Sequence, residues 1–359
     1  MLQSIRMNVQ PYRVELLLSC WITSFVGALL FVFLAPWPVD PPPRAALIVP
    51  VQQDQMPASI EGRFDHLGID PRGNRLFAAA ESAHQVLVFD LASGRYLRSI
   101  DGIEIPHAVL VRQDINRIYI TDGGTGEVRV YDGKTYRLLK TIPLEVDADA
   151  IGYDPQTKLL YVDNGGGDAH ESYSMLSVVD TTSGTKLADI KIPGETLEAM
   201  TLEKNSDRMF VNDASVNKVV VLDRRTRQII ATWPVTLGKR NVAMALDQAH
   251  HRLFLGCRDG KLVVFDTQSG KELEALPIGG GIDDLAFNPA TGRLYAQCGA
   301  DGTTWIYRGQ HGSYKLLGKI EEGTKAKNSL LAPRLDRYFV VVPPEKMPGF
   351  IDVFSLSSN

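Results

Sequence analysis

Two histidines and a set of acids stand at a fixed offset from a phrase that the chain repeats. Ten residues before each repeat come Asp65, His107, Asp149, Glu198, Val242, Asp283 and Lys327. One residue later come His66, Ala108, Ala150, Ala199, Ala243, Asp284 and Asn328, and Asn241 stands just before the single apolar member. Carboxylates, imidazoles and amides gathered this way suit a divalent metal ion, with His66 and His107 as nitrogen donors. They equally suit a cationic or polyhydroxylated ligand, or a structural role in which they cap strand starts and hold water. Acids crowded together without a cation repel one another and raise some of their pKa values.

The phrase that sets the offset begins at Arg75, Arg117, Leu159, Arg208, Arg252, Arg293 and Arg337, at intervals of 41 to 49 residues, and continues as a short apolar run. A strand-bearing period of that length is the mark of a propeller, whose blades cannot bury their faces alone. Each unit divides into four short segments. Turns such as Asp90–Gly94, Asp180–Gly184 and Asp266–Gly270 join the third to the fourth, with an Asp that bonds back into the turn and a Gly four residues on. The fold expected is all-β: a seven-bladed β-propeller of four-stranded antiparallel blades over 45–359, the blades spanning about 62–356. The seventh unit lacks a fourth strand, and the apolar run 45–51 is expected to supply it and close the ring. Pro50 is compatible with an outermost edge strand. The offset residues then start the innermost strands and line the mouth of the central channel. Long connections at 164–173 and 342–349 share that face, and His170 and Glu171 are loop candidates for a ligand there.

The front of the chain is different. Residues 16–35 carry no charge, and twenty such residues cross a bilayer core of about 30 Å as a helix. The apolar core is longer than that of a cleaved signal, which favours a retained anchor over 1–35 while leaving the cleaved alternative open. Arg6 and Arg13 precede it, so the large domain is expected outside the cytoplasm, on the periplasmic side of an inner membrane. The proline-rich linker 36–44 reaches about 28 Å at polyproline spacing and keeps the ring near the membrane. A net charge of −4 gives no footprint for nucleic acid. Cys257 and Cys298 hold the same register in neighbouring units and are expected as two buried thiols. His250-His251 reads as a surface turn, and no Gly-x-Ser-x-Gly, phosphate-binding glycine loop or Cys-x-x-Cys-His is present.

Tyr119-Ile-Thr-Asp122, Tyr161-Val-Asp-Asn164 and Phe210-Val-Asn-Asp213 resemble the YVTN-type bacterial propeller repeats, a likeness covering roughly residues 62–356. NHL- and WD-repeat-like rings have similar blades. The resemblance implies an exported propeller without an assigned activity, acting as a binding scaffold for a protein, cell-wall component or small ligand. The alternative is a metal-dependent, lactonase-like hydrolase using Asp65, His66, His107, Asp149, Glu198 and Asp283. Glu61-Gly62 resembles the opening of gluconolactonases, but Arg63 stands where that family has proline. No cofactor is specified beyond a divalent metal ion at the mouth, and fold likeness alone supplies no activity.

Overall fold

A computed structural model of the chain describes residues 47–310 and 312–356. Among them are seven four-stranded antiparallel sheets. In chain order these blades span residues 67–101, 106–143, 151–193, 197–234, 241–277, 282–321 and 329–356. The second strand of every blade begins at the repeated phrase, from Arg75–Ala80 in blade 1 to Arg337–Val342 in blade 7. These strands are buried almost from end to end, because apolar residues on both sides of the pleat face a neighbouring blade.

The core accordingly lies between blades. Phe77, Val86 and Val88 of blade 1 pack with Val109, Ile118 and Ile120 of blade 2. Leu76, Leu87 and Phe89 on the other side of blade 1 pack with Phe339, Val341 and Ile351 of blade 7. Withdrawing each such side chain from water stabilises by about 1.5–3 kcal/mol. A single blade would leave half of that gain unmade, which is why the period must repeat.

Blade 7 takes its outermost strand from the front of the chain. Ile48–Gln55 pairs antiparallel with Phe350–Leu356, from Ile48 opposite Leu356 to Gln55 opposite Phe350. The strand is therefore shifted toward the C-terminus relative to the expected 45–51. Its second half, Gln52-Gln53-Asp54-Gln55, has no apolar signal and is held by polar contacts instead. Gln53 Nε2 donates to Asp352 Oδ1 at 3.0 Å, and Gln52 Nε2 to Asp54 Oδ1 at 2.7 Å. Pro50 sits at a register shift, where a missing N–H costs least. Ala45 and Ala46, the expected helix over 16–35 and the linker 36–44 lie outside the described residues. Among the described residues no helix is long and apolar enough to cross a membrane.

The turn between third and outer strands follows one plan. Asp90 Oδ1 accepts from the Ser93 backbone at 2.9 Å, and Asp266 Oδ1 from that of Ser269 at 2.8 Å. Four residues after the Asp, Gly94 and Gly270 take φ of +69°. The same plan holds at Asp132 and Asp223, where Tyr136 (φ +59°) and Arg227 (φ +61°) occupy the left-handed position without glycine. Those two turns carry no glycine signal in the sequence, although the Asp is present.

A second regularity places the site. Near the start of the inner strands, two residues oppose one on the second strand. The pairs His107-Ala108, Glu198-Ala199, Val242-Ala243 and Asp283-Asp284 face Thr121, Asn212, Gly256 and Gln297. In blade 1 the Asp65 N–H donates to Ala79 O and the Ala79 N–H to His66 O, and in blade 3 Asp149, Asp163 and Ala150 do the same. Bulges of this kind re-aim side chains away from the sheet plane. Here they present one residue per blade to the channel.

Candidate functional site

All seven blades contribute to one recess of 190 Å³ at the channel mouth: Asp65, His66, His107, Asp149, Glu198, Val242, Asp283 and Lys327 line it. Arg63, Glu81 and Arg258 line it too, so the mouth is less one-signed than the acids alone suggested. The offset residues do converge, and the structure divides them into two halves. In one half Asp283 is saturated. Lys327 Nζ donates to it at 2.5 Å, Arg258 Nη2 at 3.1 Å and Asn328 Nδ2 at 3.2 Å. Asn328 Nδ2 also lies 3.4 Å from Asp65 Oδ1, and Asp65 Oδ2 is bonded to His107 Nδ1.

The other half is rich in carboxylates and poor in partners. Asp149 Oδ1 lies 3.7 Å from His107 Nδ1, and this buried oxygen accepts no hydrogen bond. Behind it stands Asp163, 2% exposed, whose Oδ1 is likewise buried without a partner. Burial pushes Asp163 well up, and Asp149, Asp147 and Glu198 add to the shift by repulsion. Burial and then Asp149 push Glu198 up to about 8, with Arg258 opposing. Burial, Asp149 and Asp168 push Asp147 up to about 6. Burial also raises Asp149, against the pull of His107.

The imidazoles lean toward their charged forms. Burial opposes the charge on His107, but Asp149 and Asp65 prevail and hold it up to about 9. Burial likewise opposes His66, and Asp65 and Asp284 push it well above its ordinary value. Asp65 itself is disfavoured as an anion by burial, yet the His66 charge and the His107 bond hold it below the usual carboxylate range. One ligand atom each from Asp65, His66 and Asp149, or from His107, Asp147 and Asp149, lies within 4.8 Å of the others, which is close enough to share a cation.

Several expected candidates stand elsewhere. Asp284 turns along the channel wall, where its Oδ1 lies 3.2 Å from His66 Nδ1 and its Oδ2 accepts from the Ser329 N–H at 2.6 Å. With His66 it borders a further space of 220 Å³ among Ala108, Ala150 and Ala199. Asn241 is fully buried between blades, donating to Asn212 Oδ1 at 2.8 Å and Lys218 O at 2.9 Å, and does not line the recess. His170 and Glu171 are exposed on the connection after Leu159–Gly165 and stay outside it. Cys257 and Cys298 are buried free thiols that burial pushes up to about 12. His250 is an exposed turn residue bonded to Asp247 Oδ2 at 2.7 Å. Asp147, Asp163 and Arg258 escaped the sequence reading. Asp163 was the findable one, since it sits four residues after its repeat start, where Thr121, Asn212 and Gln297 sit after theirs.

No family model matches the chain. Over 99 residues it is 33% identical to the "Uncharacterized protein YncE" of Salmonella typhi, and equally to that of Salmonella typhimurium. The match covers 28% of this chain and spans only 28% of those relatives' length. Among solved structures, a chain of the hydrazine synthase of Kuenenia stuttgartiensis superposes with a TM-score of 0.66 at 15% identity, covering 79% of this chain and 94% of that one. A chain of a mitotic checkpoint complex gives 0.73 at 14% identity, covering 99% and 100%. At such identities the likeness is one of fold, a seven-bladed propeller, and no more. The lactonase-like alternative is not favoured by any of these relatives.

Proposed function

We propose that this chain is an exported, membrane-tethered propeller of the YVTN type, a scaffold that binds a protein, cell-wall component or small ligand on the face bearing the channel mouth. The observation that carries the reading is the recess itself, to which every blade lends a residue at or just before the start of its inner strand. The partial likeness to YncE supports the repeat type. In this reading residues 16–35 anchor the chain, 36–44 form a short spacer, and Ile48–Gln55 closes the ring. That strand starts from the face opposite the mouth. Loops of unequal length surround it, with Met347 74% exposed on the longest connection of blade 7.

A photo-reactive amino acid placed at Met347 in intact cells is expected to capture a partner. The same group at Lys134, in a turn on the opposite face, is expected to capture none. Equal capture from the two faces, or none from either, overturns the reading. Alkaline phosphatase fused behind residue 356 should be active, and an inactive fusion that is nonetheless produced in full places the propeller in the cytoplasm.

A further inference from the structure

We propose that His107, Asp147 and Asp149 form a binding site for one divalent transition-metal ion, of the Mn²⁺ or Zn²⁺ kind, in the carboxylate-rich half of the mouth. The inference goes beyond the scaffold reading and stands without it.

Geometry makes the case. One ligand atom from each of the three residues lies within 4.8 Å of the others, the spread that a single ion spans with its donors. His107 is already oriented as a ligand. Its Nδ1 is bonded to Asp65, and a carboxylate on one ring nitrogen is the usual companion of an imidazole that binds a metal through the other. The ring fits only because Gly123 lacks a side chain, since a Cβ there would lie 2.6 Å from Nε2. Asp147 is held in the left-handed region at φ +61° by its N–H bond to Gly123 O at 2.7 Å. That conformation is sparsely populated by residues other than glycine and persists where surrounding structure enforces it.

A second observation points to a cation. Asp149 Oδ1 and Asp163 Oδ1 are both buried without a hydrogen-bond partner. Asp163 is nine-tenths buried and more, lies opposite the Asp149-Ala150 pair across the bulge, and has Asp149, Asp147 and Glu198 as its charge neighbours. At the equivalent register Thr121 Oγ1 donates to Asp149 O at 2.9 Å, and Asn212 and Gln297 donate to backbone carbonyls of the following blades. Asp163 Oδ1 makes no such bond. A mixed nitrogen and oxygen donor set suits Mn²⁺ and Zn²⁺ better than Ca²⁺, which prefers oxygen throughout.

The test uses the purified full chain, stripped with chelator and titrated separately with Mn²⁺, Zn²⁺ and Ca²⁺ by calorimetry. One Mn²⁺ or Zn²⁺ per chain is expected, with a melting temperature that rises on loading. Asp147→Asn should weaken binding at least tenfold, while the stripped variant melts no lower than the stripped parent because a repelling carboxylate is gone. Should that variant fail to fold, pulsed electron resonance of Mn²⁺ on parent protein labelled with ¹⁵N-histidine still decides. Coupling to one histidine nitrogen supports the site. No stoichiometric binding of Mn²⁺ or Zn²⁺, binding unchanged by Asp147→Asn, or a bound Mn²⁺ without nitrogen coupling overturns it.

Discussion

Single side chains in this molecule are governed by how many protons their neighbours can share. Away from the mouth, Thr304 Oγ1 lies 2.5 Å from Gln297 Oε1 and 2.6 Å from Glu322 Oε1. One hydroxyl hydrogen cannot serve both acceptors. Tyr338 also donates to Gln297 Oε1 at 3.2 Å, and Glu322 Oε2 is buried without a partner. A protonated Glu322 resolves the shortage by donating to Thr304, which then donates to Gln297. Burial accordingly pushes Glu322 up from 4.5 to about 7, against the hydrogen bonds from Thr304 and Gln297. Between those values the folded state holds a proton that the unfolded chain has released, so stability must fall as pH rises from 4.5 toward 7 and level off above. Glu322→Gln, which keeps a donor there at every pH, is expected to remove a loss of about 2 kcal/mol from this window, measured by urea unfolding at pH 4.5 and pH 8. An unchanged slope would refute the assignment. The same logic shows what sequence could and could not disclose. Asp65, His107, Asp149, Glu198 and Asp283 were legible because one bulge per blade fixes their offset from the repeat. Arg258 and Lys327 pair with Asp283 from neighbouring blades, and the register of one unit says nothing about which charges its neighbour presents.

Blades are joined to one another by arginines as well as by apolar packing. In blades 1, 4 and 6 the arginine opening the second strand reaches across to the next blade, whereas Arg117, Arg252 and Arg337 bond within their own blades. Arg75 bonds Gly133 O and, at 3.0 Å, Tyr136 Oη, while Arg208 Nη1 donates to Thr267 O at 2.6 Å and Arg293 Nη1 to Leu47 O at 2.9 Å. At those three repeat starts the arginine serves as a link between blades although the rest of the phrase is apolar. Blade 3 has Leu159 at this position, and there the link runs the other way. Arg224 of blade 4 bonds Asp154 of blade 3, both nearly buried, and donates to Glu203 O at 2.8 Å and Ser206 O at 2.6 Å. Removing one partner of a buried ion pair strands the other charge away from water. Arg224→Met should therefore cost about 3 kcal/mol in urea unfolding. Adding Leu159→Arg should recover part of the loss by supplying, from the other side, the link that Arg75, Arg208 and Arg293 make. Failure of the double variant to exceed the single one would mean that the two links are not equivalent. The repeat start at Leu159 gave the period without revealing its compensation, because Arg224 lies in a different unit and a different turn.

At the scale of the whole molecule, the period and the strand pattern dictated seven blades, since a wedge with two apolar faces is stable only between two others. The final blade was half legible. Ile48 and Val49 announce a strand, whereas the polar half to Gln55 is added by backbone pairing that no side-chain pattern encodes. Without Ile48–Gln55 the Phe350–Leu356 strand would become an open edge, and Ile48 would leave a cluster that includes Tyr295, Ile306, Tyr338 and Phe354. If that strand is what closes the ring, fixing it in place should stiffen the assembly as a whole. Gln53 and Asp352 are direct partners, and opposed residues in an antiparallel pair have Cα atoms about 4.5–5.5 Å apart, within the span of a disulfide. A Gln53→Cys, Asp352→Cys pair would clamp a loop of 299 residues, for which the chain-entropy estimate is about 5.7 kcal/mol before strain is subtracted. The oxidised variant is expected to melt several degrees above its reduced form, with the bridge inside one chain by non-reducing electrophoresis. A bridge between two chains would show that the strand is exchanged among copies, and no bridge under mild oxidant would show that it does not rest against Phe350–Leu356 in solution.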